Sequence, residues 1–234
     1  MTLIDAHCHL DRLPKYVIPP GLLPITVGYS HSSNQKAVEA AKKHNIPFVL
    51  GIAPQTAIKE DLSKLGEWID FIKKSAPSAI GEVGLDYHWA ENEQDTQKEQ
   101  VVFQRMIELA EEMGLPLVIH AREATQDVLD SIQLRNFRNG FMLHFFSGTL
   151  HDAKRAVEMG GYVSIPPVRS KDRTAAIGAL GLEHLLVETD APYVGRTPDA
   201  VMDSVAYIAE IKKVDKETVI ERTSQNARAF FKIK

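Results

Sequence analysis

Eight short apolar runs of β type, separated by longer stretches, constrain this chain more than any other feature. They occupy 3–8, 24–29, 46–51, 78–83, 115–120, 140–145, 161–165 and 184–190. Between most of them, apolar residues recur at helical spacing, over 34–44, 61–75, 95–113, 122–134, 151–159, 199–213 and 216–230. The clearest helix is 95–113, where Val102, Met106, Leu109, Ala110 and Met113 line one face and Gly114 supplies the stop. The link from 9 to 23 is rich in proline and is expected to be irregular. Strands that alternate with helices pair in parallel, because each helix carries the chain back across the sheet. The 234 residues contain no linker, repeat or low-complexity tract. One domain over 1–234 is therefore expected, of α/β class, as a closed (β/α)8 TIM barrel rather than an open doubly wound sheet.

The polar residues that close these runs point to chemistry. His7-Cys8-His9 ends the first strand, where alternation sends both imidazoles to one side and Cys8 to the other. Glu82 closes the fourth strand, His120 the fifth, His144 the sixth and Asp190 the eighth. The C-terminal strand ends of such a barrel form its active face. Four imidazoles and two carboxylates there form a nitrogen and oxygen ligand set, suited to one or two divalent ions such as Zn, Mn or Mg. Six ordinary structural residues are the weaker account, because so many titratable groups are costly to bury unless paired or coordinated.

Charge and cysteine content bear on partners and setting. The formal net charge is −4. Proteins that hold nucleic acid mainly through phosphate neutralisation usually carry a basic surplus. If nucleic acid is the substrate here, a local basic rim and the metals must grip it. The single cysteine excludes an internal disulfide, and no signal-like or membrane-spanning apolar run is present. A cytoplasmic protein without a membrane or an obligate protein partner is expected.

Five segments in order, D-A-H-C-H-L-D at 5–11, G-E-V-G-L-D-Y at 81–87, L-P-L-V-I-H-A-R-E-A at 115–124, L-H-F-F-S-G at 143–148 and E-T-D-A-P-Y at 188–193, carry a family likeness. The chain resembles the TatD family of metal-dependent deoxyribonucleases, within the amidohydrolase-like barrels. That resemblance implies that His7, His9 and Asp190 hold one metal, His120 and His144 hold a second, and Glu82 bridges them. Glu82 and Asp190 become the catalytic carboxylates, with Asp190 accepting a proton from water. DNA becomes the substrate, with 3′–5′ exonucleolytic action as one form of the activity.

Arg122, Arg169 and Arg196 are the candidate substrate-binding residues, with Arg169 in a basic loop, R-S-K-D-R at 169–173. Tyr87, His88 and Trp89 are candidate rim residues, and Asp86 and Glu188 candidate orienters of the ligands. Two departures bear on the substrate. Ala53 stands where the family usually has a histidine, and the stretch from Asp190 to Arg196 is short. The alternatives are an amidohydrolase-type hydrolase of a small amide, lactone or phosphotriester, and a non-catalytic metal scaffold.

Overall fold

The computed structural model describes residues 2–233. All eight expected strands form: β1 (Leu3–Cys8), β2 (Leu22–Val27), β3 (Phe48–Leu50), β4 (Ala79–Asp86), β5 (Leu117–Arg122), β6 (Phe141–Leu143), β7 (Gly161–Ile165) and β8 (Leu185–Val187). They pair in chain order, each pair parallel. The ring closes just beyond β8, where the Asp190 amide donates to the His7 carbonyl at 2.9 Å and the His9 amide to the Ala191 carbonyl at 2.7 Å. Around it lie α1 (His31–His44), α2 (Pro54–Lys59), α3 (Leu65–Ser75), α4 (Glu93–Met113), α5 (Thr125–Leu134), α6 (Leu150–Glu158), α7 (Lys171–Ala179), α8 (Val201–Lys212) and α9 (Lys216–Phe231). This is a (β/α)8 barrel, and no helix among the described residues is long and apolar enough to cross a membrane.

Local chemistry explains most boundaries. Ser30, Asn92, Thr149, Ser170 and Asp215 cap their helices by accepting a backbone N–H, and Gly114 ends α4 in the left-handed conformation. α7 escapes hydrophobic periodicity because its sequence, K-D-R-T-A-A-I-G-A, is polar and small, with only Arg173, Ala176 and Ile177 buried. The expected basic loop at 169–173 is thus partly the first turn of a helix. β6 and β8 stop earlier than their apolar runs, which leaves His144, Glu188 and Asp190 on the loops just beyond. β4 runs on to Asp86 because Asp86 pairs with Arg122 of β5, and α5 correspondingly begins at Thr125.

Two apolar layers hold the barrel. Ile4, Ala6, Ile25, Val27, Val49, Ala79, Val118, Met142 and Leu186 meet in its interior, and Ala227, Phe230 and Phe231 of α9 join them. The larger layer lies between strands and helices and includes Val83, Leu85, Ile119 and Leu143 of the strands with Phe103 and Met106 of α4. Asn226 ties α9 to this frame by donating to the carbonyls of Leu182 and Leu185, both at 2.8 Å.

Register shifts in two strands decide which residues face inward. Ile4 and Ala6 point into the barrel, so strict alternation would send Cys8 inward and His7 outward. Instead β1 shifts against β2 between Asp5 and Cys8. Cys8 then packs outside with Leu10 and Ala191, and His7 turns in. β4 shifts likewise against β5 between Ile80 and Val83. Val83 joins the outer layer and Glu82 turns toward the axis. Gly84 is required beside this shift: its φ is +137°, and a Cβ there would lie 2.0 Å from the His120 carbonyl oxygen.

Candidate metal centre

The six residues picked out by the strand ends converge at the C-terminal mouth of the barrel. Glu82 stands at the middle and turns its two oxygens to opposite sides. Oε2 lies 3.7 Å from His7 Nε2 and 4.0 Å from His9 Nε2, with Asp190 Oδ1 3.3 Å from His9 Nε2. Oε1 lies 3.0 Å from His120 Nδ1 and 3.3 Å from His144 Nε2. His7 and His144 stack at 3.9 Å between the two halves. Three overlapping trios of ligand atoms, His7–His9–Glu82, His7–His144–Asp190 and Glu82–His120–His144, are compact enough to surround an ion.

The surroundings aim the ring nitrogens. His9 Nδ1 lies 2.9 Å from the Val27 carbonyl, and Asp86 Oδ2 lies 2.7 Å from His120 Nε2. Those partners only accept, so the facing nitrogens, His9 Nε2 and His120 Nδ1, present lone pairs to the centre. Within it, His7 and His9 Nε2 are 3.4 Å apart, and His120 Nδ1 and His144 Nε2 are 3.3 Å apart. Ring nitrogens gathered at that range around a carboxylate form a donor set that fits a divalent metal. Asp190 reaches the centre from a left-handed backbone conformation, φ +51°, at a turn closed by the amides of Tyr193 and Val194 onto its carbonyl.

Burial opposes charge throughout the cluster, but neighbouring groups often outweigh it. When protonated, His144 and His120 hold Glu82 well below the usual carboxylate range, their charge and hydrogen bonds overcoming its burial. The same carboxylate and Glu188 push His144 well up; Asp86 and Glu82 raise His120, and Asp190 raises His9. His7 goes the other way, well down, through burial and the nearby charge of His144.

The expected orienters stand in place. Asp86 holds His120, and Gln55 donates to the same Asp86 oxygen at 2.7 Å. Glu188 Oε1 lies 3.4 Å from His144 Nδ1 while accepting the Phe145 amide at 2.6 Å. Two supporting residues are not singled out by the strand-end pattern. Asp5, wholly buried, accepts the Thr189 amide at 2.9 Å and its hydroxyl at 2.6 Å, joining β1 to the segment that carries Asp190. Glu99 of α4 accepts the Asp86 amide at 3.0 Å, and its burial pushes its carboxyl up to about 7. Its signal is legible in retrospect: a carboxylate on the same helix face as Val102, Phe103 and Met106.

The candidate substrate-binding arginines separate. Arg122 has an exposed side chain that makes no hydrogen bond or ion pair among the described residues, and it lines a cavity with Tyr87, Thr125, Ser147 and Thr149. Arg196 is exposed on the loop beyond β8. Arg169 instead makes a two-pronged bond to Glu210, at 2.8 and 2.5 Å, and lies over the Tyr207 ring. Arg173, in the expected basic loop, is buried and donates to the carbonyls of Phe146 and Val168. Trp89 is 51% exposed, with Lys59 over its ring, and His88 pairs with Glu123 at 3.1 Å.

A ring of parallel strands whose mouth gathers imidazoles and carboxylates belongs to the class of metal-dependent hydrolase barrels. Residues 4–232 match the family described as TatD related DNase. A metal-dependent hydrolase of uncharacterised role from Bacillus subtilis is 31% identical over 227 residues, covering 89% of this chain and 87% of its own. The human deoxyribonuclease TATDN3 is 29% identical over 260 residues, covering 98% and 94%. The crystal structure of a TatD homologue from Escherichia coli superposes with a TM-score of 0.82 at 22% identity, covering 99% of this chain and 98% of its own. The chain belongs to the TatD family of metal-dependent hydrolases.

Proposed function

We propose that this chain hydrolyses phosphodiester bonds in DNA, with 3′–5′ exonucleolytic action as one form of the activity. The observation that carries the proposal is the division of Glu82, one oxygen toward His7 and His9 and the other toward His120 and His144. That arrangement suits two ions sharing one carboxylate, with His7, His9 and Asp190 completing one ligand set and His120 and His144 the other. Zinc, manganese and magnesium all fit a set of imidazole and carboxylate. Such ions supply Lewis acidity toward phosphoryl oxygens and lower the pKa of water. Related proteins named as deoxyribonucleases support the choice of DNA.

The chain's own groups perform the remaining work. Asp190, whose side chain is 16% exposed, would accept one proton of the attacking water as the water oxygen bonds to phosphorus, and the ester oxygen would leave as an alcohol by taking a proton from solvent. Asp86 and the Val27 carbonyl keep His120 and His9 in the ligating tautomer. Arg122 receives a phosphate oxygen at the His120 side. The buried free thiol of Cys8 suits a reducing, cytoplasmic setting.

The test is cleavage of single- and double-stranded DNA by metal-analysed protein with manganese, magnesium or zinc, comparing wild type with Glu82→Ala and His120→Ala. Loss of cleavage together with bound metal is expected in both variants. Retained activity would remove this centre from the mechanism. Turnover of a small amide, lactone or phosphotriester without DNA cleavage would move the substrate to the amidohydrolase class.

A further inference from the structure

On the His9 side of the centre lie three polar side chains with no part in the chemistry above. Arg12, in the turn just past β1, is exposed and donates from Nη2 to the Tyr29 hydroxyl. Tyr29 lies just past β2, and its hydroxyl is 3.1 Å from that of Tyr193, on the loop past β8. Both tyrosine rings meet His9 edge-on, with centroids 5.4 and 5.1 Å away. A guanidinium and two hydroxyls from three separate loops therefore converge beside a candidate metal ligand. Tyr193 is 57% exposed, so the group faces solvent on the active side.

An arginine on a rim is usually solvated and mobile, but this one is held. Its Nε lies 3.5 Å from Asp11 Oδ2, and the Asp11 side chain is fully buried with no hydrogen bond. The carboxylate anchors the inner edge of the guanidinium while Tyr29 fixes Nη2, and Nη1 has no partner among the described residues. A planar fork held this way is preorganised for an oxyanion. Given the phosphodiesterase activity proposed above, we infer that Arg12, Tyr29 and Tyr193 bind the phosphate next to the scissile one in a nucleic-acid strand.

The position of Arg122 strengthens this. It lies two residues beyond His120, so the two arginines bracket the ligands, one at the His9–Asp190 end and one at the His120–His144 end. A strand crossing the centre brings more than one phosphate to the mouth, whereas a small neutral substrate brings none. With a net charge of −4, the chain has no general attraction for a polyanion, and affinity must come from such placed groups.

The test compares kcat/KM on d(TpT), d(pTpT) and d(TpTp), which share one scissile bond and differ by a phosphate on one side or the other. Wild type, Arg12→Ala, Arg12→Lys and Tyr193→Phe are compared after metal content and circular dichroism establish that each is loaded and folded. Wild type is expected to favour one phosphorylated form by about 10- to 100-fold, the range of a charge-assisted hydrogen bond. Arg12→Ala should collapse that ratio, Arg12→Lys should keep part of it, and Tyr193→Phe should reduce it less. Binding of labelled oligothymidylate in calcium, read by anisotropy, should lose about one unit of salt slope in Arg12→Ala. A wild type indifferent to the added phosphates, or a ratio unchanged in Arg12→Ala, overturns the subsite and leaves the diesterase standing. Failure of wild type to cleave any of the three and also single- and double-stranded DNA ends both.

Discussion

Asp86 Oδ2 sits 2.7 Å from His120 Nε2, and the opposite ring nitrogen thereby faces Glu82 Oε1 at 3.0 Å. The carboxylate fixes the tautomer, so its removal acts on metal affinity before it acts on the fold. Asp86→Ala is expected to weaken metal binding by about 10–100-fold, the usual cost of losing a partner behind a ligating histidine. Competition against a chelating dye measures it, and unchanged affinity would assign His120 another orientation.

Glu82→Gln keeps the volume of the central side chain but halves its capacity to accept. It should lower both bound metal and turnover further than Asp86→Ala does, because both halves of the centre depend on Glu82. Elemental analysis beside a DNA cleavage assay reads the two effects in one preparation. Full metal content with full activity would exclude the bridging role.

Protons and metal compete for the same nitrogens, which gives pH dependence a definite sign. In metal-free protein His9, His120 and His144 are raised above the ordinary histidine value of about 6.5. Their stabilisation is complete below that value and is lost as pH rises through the folded values. His7 is lowered and opposes them, costing stability as pH falls below the same point. Only the raised groups titrate above that point, so the thermal midpoint in chelator should fall as pH climbs above about 6.5. Added manganese should stabilise more strongly over the same interval, since ligands must be deprotonated to bind it. Parallel curves with and without metal would count against the centre.

Arg122 and Arg169 should differ in solution as they do in contact. Arg122 is free, so Arg122→Ala should weaken oligonucleotide binding and lower the salt slope by about one. Arg169 is already held by Glu210, so Arg169→Ala should change the slope by less. Binding titrations across a range of salt concentrations decide, and equal slopes for both variants would contradict the distinction.

Asp5 and Thr189 predict a stability effect distinct from catalysis. Thr189→Val leaves a buried Asp5 oxygen without its 2.6 Å partner. It also leaves the buried Ala191 amide without its 3.1 Å acceptor, so the cost should be about 1–3 kcal/mol for each of these two buried polar groups. For a chain of this size, each kcal/mol lowers the melting temperature by roughly 2–4 °C. A melting temperature equal to wild type would mean that the clamp is dispensable.

The barrel and the cluster at its mouth were legible because each clustered residue follows an apolar run, and such runs report strands directly. His7, His9, Glu82, His120, His144 and Asp190 all lie where that pattern puts the mouth. Facing is less legible. Alternation counted from Ile4 or Ala79 points Cys8 and Val83 inward, and only the register shifts, set by neighbouring strands, reverse it. Pairing is illegible for the same reason. Arg169 and Arg122 look alike as residues, and it takes α8, which brings Glu210 alongside, to distinguish them. Arg12 escapes notice because its partners Tyr29 and Tyr193 come from loops far apart in the chain.

The clamp between Asp5 and Thr189 also orders events in time. His7 and His9 emerge early in synthesis, while Thr189 arrives 184 positions after Asp5, with Asp190 next to it. A partly made chain can hold the first histidines but cannot complete their ligand set. The centre is finished only when the last strand meets the first, so hydrolytic competence becomes a report that the whole ring has closed.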